Sequence, residues 1–162
     1  MAGLLNVIGK LFGNKYDKDV KEITPIIEQI NAEYSKLNAL TNDELRGKTS
    51  NFKNQIADFI SSDKQIIETL TKEASLSETP TEKKETLYKE IDTLEETIVS
   101  KTEEILNALL PQAFAVVKET AKRFIENDNL TVMATENDKE LAATKDFVSI
   151  KADNASYKTS WN

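Results

Sequence analysis

The chain has 162 residues, 28 acidic and 21 basic side chains, a formal net charge of −7 and 39% apolar residues. It contains no cysteine and no histidine, which excludes disulfides, thiolate nucleophiles, a Ser-His-Asp triad and zinc sites that use these residues. The acidic balance argues against nucleic-acid binding, which relies on basic clusters.

Glycine is also scarce, with four residues at positions 3, 9, 13 and 47. A phosphate-binding loop needs glycines so that backbone N–H groups can approach the phosphate closely. Residues 48–162 therefore cannot form a standard P-loop or a G-x-G-x-x-G turn. We predict no catalytic residue, no cofactor-binding residue and no metal ligand in this chain.

Residues 3–13 form an amphipathic segment whose apolar side chains span about 160° of a helical wheel. Asn6 and Lys10 interrupt the apolar run and no small-residue cleavage site follows, so we predict an uncleaved helix rather than a signal peptide. Lysines follow it, a pattern typical of contact with an acidic membrane surface. The alternative is a helix packed on its own domain. The candidate contact residues are Leu4, Leu5, Ile8, Lys10, Leu11, Phe12 and Lys15.

The rest of the first predicted region, 1–60, consists of helices. Apolar residues recur every three or four positions over 17–38, and Pro25 is predicted to start or kink this helix. Thr41 and Glu44 fit a capping box that opens the next helix.

The second predicted region, 61–104, is acidic, with twelve acidic residues and six lysines. Two apolar stripes flank Ser75–Pro80, which predicts a protruding helical hairpin. Thr79 and Glu82 are predicted to form a capping box at the start of the second arm. The hairpin is interpreted as a solvated insertion, with a docking arm as the alternative.

The last two predicted regions are 105–129 and 130–162. The first contains a central apolar helix, 105–126, with a broad buried face that includes Phe114, Val117 and Ile125. Lys118, Lys122 and Arg123 are predicted on its solvated side. The second contains strands at 130–135, 145–151 and 155–161, interpreted as a small antiparallel meander. The predicted fold class is α+β and mostly α-helical.

Three segments resemble the beginning of the SecA family, the motor ATPases of bacterial preprotein export. They are LFGNKYD at 11–17, LTNDELRGKT at 40–49 and LPQAFAVVKE at 110–119. The hairpin, the strands and the segment ELAATKD at 140–146 resemble the longer Bacteroidetes versions of that family.

The resemblance implies an N-terminal segment of a translocase whose parent uses ATP and Mg²⁺ to move preproteins through the SecYEG channel. It implies a cytoplasmic protein, peripheral on the inner face of the plasma membrane, that contacts acidic phospholipid. The family's glutamine motif and phosphate loop follow the region that corresponds to this chain, so the chain alone is not expected to hydrolyse ATP. The alternative is a stand-alone, non-enzymatic helical interaction module at a membrane surface.

Overall fold

The computed structural model describes residues 15–159, which form five helices and three strands. The mostly helical α+β class with a small C-terminal antiparallel sheet is confirmed. The elements are α1 (Lys15–Tyr34), α2 (Asn42–Phe59), α3 (Ser61–Ser75), α4 (Thr81–Glu126), β1 (Asn129–Met133), α5 (Glu136–Thr144), β2 (Val148–Lys151) and β3 (Asn154–Lys158).

The N-terminal helices follow the sequence pattern closely. α1 continues through Pro25, which lies inside the helix as the sequence pattern predicts. The capping box of α2 is confirmed. The Thr41 backbone N–H donates to Glu44 Oε2 at 2.7 Å, and the Glu44 N–H donates to Thr41 Oγ1 at 3.2 Å.

The chain divides into two compact units, and the first consists of the described residues 15–45 and 111–159. Its helical core is built on Leu37, Leu45 and Ala115. Ile30, Tyr34, Leu40 and Val116 pack around these three side chains. The turn after α1 therefore packs against the C-terminal part of α4.

The second unit, 46–110, brings α3 alongside the N-terminal part of α4. Lys101 binds the buried Asp63 carboxylate at 2.6 Å, and Lys83 pairs with Glu73 near the other end of α3. The Thr79 hydroxyl donates to the Glu73 carbonyl at 2.7 Å. The Thr79 hydroxyl therefore binds the end of α3. Since α4 begins at Thr81, Thr79 is not its N-cap, and the predicted capping box at Thr79 is wrong. That this pair of helices is an insertion stays a prediction, as do the four region boundaries.

Residues 105–126 are not a separate helix. They form the C-terminal part of α4, which runs for 46 residues and includes Pro111 in its interior. Proline removes one backbone donor but leaves the other hydrogen bonds of a long helix available. Pro111 therefore marks no helix start here.

The sheet has the order β1-β3-β2, so the predicted meander is wrong. β3 lies in the middle and pairs antiparallel with both neighbours, with Ala155 opposite Val132 on one side and Ile150 on the other. The observed strands are shorter than the predicted ones, and α5 occupies Glu136–Thr144 between β1 and β2. Residues 160 and 161 of the last predicted strand lie outside the described residues.

α5 begins with a capping box that fixes it to the sheet. The Thr135 N–H and Oγ1 both donate to Asp138 Oδ2, at 2.7 and 2.9 Å, and the Asp138 N–H donates to Thr135 Oγ1. The Tyr157 hydroxyl of β3 donates to the other oxygen of the Asp138 carboxylate. Asp138 is fully buried, and these donors supply the partners that a buried carboxylate requires.

A two-residue turn, Ala152-Asp153, joins β2 to β3, and Ala152 has a φ of 52°. A Cβ in this left-handed region is unfavourable, and glycine is the usual residue there.

We expect Ala152→Gly to stabilise the chain by about 0.5–1 kcal/mol, since relief of the steric cost exceeds the added entropy of glycine. Urea unfolding followed by circular dichroism measures this change. Ala143→Gly, at an exposed position in α5, is the matched control and should destabilise the chain by about 1 kcal/mol. Equal destabilisation by both variants would contradict the turn argument.

Candidate functional site

The Arg123 side chain donates hydrogen bonds to four other residues of the first unit. Its Nε donates to Glu119 Oε1 at 2.8 Å, and NH1 donates to Asn42 Oδ1 at 2.8 Å. NH2 donates to the backbone carbonyls of Leu40 at 2.8 Å and Leu37 at 3.3 Å. We call this arrangement the arginine clamp. The predicted solvated position of Arg123 is wrong, because its side chain is only 13% exposed.

The anionic member of the clamp, Glu119, is 3% exposed. It lies one helical turn after Ala115 and one turn before Arg123, so the three residues follow one another along the buried side of α4. Its Oε2 atom has no hydrogen-bond partner among the described residues. Loss of Arg123 would therefore leave a buried carboxylate without compensation.

Asn42 connects the clamp to the sheet. Its Oδ1 accepts from Arg123, and its Nδ2 donates to the Thr131 carbonyl of β1 at 3.1 Å. The neighbouring Asp43 carboxylate accepts from the Met133 N–H at 2.8 Å. The first two residues of α2 thus satisfy backbone groups of β1, an edge strand of the sheet.

A cavity of about 420 Å³ lies beside the clamp. Its lining includes Glu119, Glu126, Lys122 and Arg123, together with several asparagines. Two carboxylates and two cations cancel in formal charge, so the lining does not select an anion or a cation. The clamp is therefore best described as a structural centre.

The N-terminal part of α1 carries an uncovered apolar surface. Its members are 41% to 69% exposed, and α1 contains no buried residue. We call it the α1 seam, formed by Tyr16, Val20, Ile23 and Ile27. Further along the helix, Lys118 of α4 approaches Tyr34, with Nζ 4.3 Å from the ring centre, and donates to Asn31 Oδ1 at 2.9 Å. α4 therefore contacts the C-terminal part of α1.

α4 carries a second uncovered surface, the α4 stripe, formed by Phe114, Val117 and Ile125. These side chains are 57%, 66% and 85% exposed, although the sequence analysis assigns them to a buried face. That assignment is wrong for these three residues, because Ala115 and Glu119 occupy the side of α4 that faces the core.

Most of the predicted membrane-contact residues lie outside the described residues; they are Leu4, Leu5, Ile8, Lys10, Leu11 and Phe12. Lys15 is described, as the exposed first residue of α1. Sequence reasoning did not find the clamp. The only local signal for it is the spacing of Glu119 and Arg123 by four residues on an apolar helix.

No helix in residues 15–159 is long and apolar enough to cross a membrane. In the same range, no group of three or more acidic side chains is placed to hold a metal ion. The one glycine in this range, Gly47, lies inside α2.

The fold and the clamp define a mostly helical module with a small sheet fixed to its helical core. The family model of the SecA DEAD-like domain matches residues 8–135. The chain is also similar to proteins named protein translocase subunit SecA. It is 41% identical to that of Parabacteroides distasonis over 159 residues, 45% to that of Phocaeicola vulgatus over 160, and 44% to that of Christiangramia forsetii over 162.

These alignments cover 98%, 98% and 100% of the chain. The chain belongs to the SecA family. It spans about 14% of the length of these relatives. No solved structure matches the chain.

The clamp generates a prediction on stability. We expect Arg123→Met to destabilise the chain by about 3–5 kcal/mol, because it leaves the buried Glu119 carboxylate unpaired and removes the donor to the Leu40 carbonyl. Adding Glu119→Met should recover part of that loss, since the buried charge is then absent. Urea unfolding of the single and double variants measures both values.

Lys122→Met is the matched control, because Lys122 is the neighbouring cation and makes only a long ion pair, with its Nζ 4.0 Å from Glu126 Oε2. We expect it to change the free energy of unfolding by less than about 0.5 kcal/mol. A double variant less stable than Arg123→Met would contradict the assigned role of Glu119.

Proposed function

We propose that the chain is the N-terminal segment of a SecA-type translocase subunit, whose parent couples ATP hydrolysis to preprotein export through the SecYEG channel. The segment has two tasks in this proposal. It contacts the membrane or channel, and it provides a scaffold for the motor domain. Membership of the SecA family, with 14% of the relatives' length covered, is the observation that carries the proposal.

The scaffold task is supported by the α4 stripe. Phe114, Val117 and Ile125 fall within about 80° of one side of α4, so they form one continuous surface. Exposed apolar surfaces of this kind are typical of protein contacts. In the proposal, the parent's motor domain covers this surface while the arginine clamp keeps the other side of α4 packed.

The membrane task rests on the predicted amphipathic segment. Leu4, Leu5, Ile8, Leu11 and Phe12 supply the apolar side, and Lys10 and Lys15 supply positive charge. Each lysine near an acidic surface contributes about 1 kcal/mol, and Asp17 and Asp19 offset part of this. The proposed binding is weak and reversible, and it places the protein in the cytoplasm on the inner face of the plasma membrane.

ATP and Mg²⁺ belong to the parent in this proposal. Residues 15–159 do not fit them, because the single glycine in this range cannot form a phosphate-binding loop. We therefore assign no catalytic step to this chain.

Flotation with vesicles that contain acidic phospholipid tests the membrane contact. We expect the chain to float with these vesicles, and Leu4→Asp with Leu11→Asp to weaken binding at least about a hundredfold, because two leucines no longer enter the lipid boundary. The control adds two charges elsewhere, at the exposed positions Asn54→Asp of α2 and Gln65→Asp of α3. Equal binding by the two double variants would refute the contact.

The coding sequence separates the proposal from the alternative of a stand-alone helical module at a membrane surface. An open frame that continues past residue 162 into a glutamine motif and a glycine-rich loop supports the translocase. A stop codon at that point, in a chain that forms a stable monomer, supports the module.

A further inference from the structure

The α1 seam belongs to a longer heptad pattern. Positions 16, 20, 23, 27, 30 and 34 are all apolar or aromatic, with alternating spacings of four and three. This spacing is that of a helix which packs along a second helix. Ile30 and Tyr34 already pack on the core of the first unit, whereas the four seam residues are exposed. Among residues 15–159, the seam therefore has no helical partner over about three turns.

The sequence immediately before α1 carries the matching pattern. Leu5, Ile8 and Phe12 are spaced by three and four, which is the mirror image of the spacing from Tyr16 to Val20 to Ile23. Two residues, Gly13 and Asn14, separate this predicted helix from α1. Both residue types favour tight turns, and connections of two to five residues are usual between antiparallel helices.

A turn at Gly13-Asn14 would bring the two sequence patterns into register. If residues 4–12 formed a helix, its equal rise per residue would put Phe12 opposite Tyr16, Ile8 opposite Val20, and Leu5 opposite Ile23. In the same arrangement Leu4 would lie on the side that faces Ile26 of α1. Ile26 is itself an exposed apolar residue.

We propose that the α1 seam is the docking surface for residues 4–12 of the same chain, and that an acidic membrane competes with the seam for this segment. The inference rests on the membrane contact proposed above and adds its regulation. The same leucine, isoleucine and phenylalanine side chains cannot enter lipid and cover the seam at once. The chain therefore alternates between a docked state in solution and a lipid-bound state.

Cysteine cross-linking tests the docked state directly, since the chain contains no cysteine of its own. We expect full-length Ile8→Cys/Val20→Cys to form an intramolecular disulfide about tenfold faster than Ile8→Cys/Lys18→Cys, because Lys18 lies on the opposite side of α1 from the seam. Mobility on non-reducing gels measures the rates. Equal rates in the two variants would overturn the docking.

Vesicles of acidic phospholipid then distinguish the two proposals. Competition predicts that vesicles slow the Ile8–Val20 cross-link, and that the oxidised variant floats only after reduction. Selective cross-linking in a chain that never binds vesicles would refute the membrane contact. Vesicle binding with unselective cross-linking would refute the docking and leave the membrane contact standing.

A second experiment avoids the disulfide. Val20→Asn with Ile23→Asn should increase vesicle binding, by up to about tenfold if nine-tenths of the chain is docked, because the apparent dissociation constant equals the intrinsic one divided by the undocked fraction. Thr24→Asn with Gln29→Asn, at exposed positions of α1 outside the seam, is the matched control and should leave binding unchanged. Weaker binding by the seam variant would instead show that the seam itself contacts lipid, and would overturn the inference.

Discussion

The burial of one guanidinium group governs the first unit. Arg123 neutralises a carboxylate on its own helix and supplies donors to two carbonyls in the turn that follows α1. The Leu37 carbonyl also accepts from the Leu40 N–H within the turn, whereas the Leu40 carbonyl accepts from Arg123. Arg123 therefore joins this turn to α4 and pairs the buried Glu119 carboxylate at the same time.

The same constraint extends to the sheet through Asn42. This amide accepts from Arg123 and donates to β1, so a polar chain of three residues links α4, the start of α2 and the sheet edge. Leucine or valine at position 42 would remove both of these hydrogen bonds. The apolar core around Leu37, Leu45 and Ala115 is small, which gives these polar contacts a larger share in positioning the unit.

Local signals predicted part of this fold. The Thr41–Glu44 capping box and the spacing of apolar residues in α1 depend on neighbours in sequence, and both predictions are confirmed. The capping box at Thr135 and Asp138 is equally local, but α5 was not predicted, because it is short and lies between two segments whose sequences are typical of strands. The sheet order could not be predicted, because it depends on where α5 crosses.

The clamp escaped sequence reasoning for a different reason. Arg123 binds the backbone carbonyls of Leu37 and Leu40, which are more than 80 residues away in the sequence. Every residue has a backbone carbonyl, so the side-chain pattern cannot indicate which carbonyls are bound. The exposure of Phe114 and Val117 was missed because a wide apolar helix has two apolar sides, and sequence does not say which one its own chain covers.

The position of β3 has a consequence for the order of assembly on the ribosome. β3 comes last among the strands in sequence but lies in the centre of the sheet, so neither β1 nor β2 has a strand partner until β3 has emerged. The Tyr157 hydroxyl, which binds the buried Asp138 carboxylate, arrives with the same strand. During synthesis the helical core can therefore form early, whereas the whole sheet must wait for its final strand.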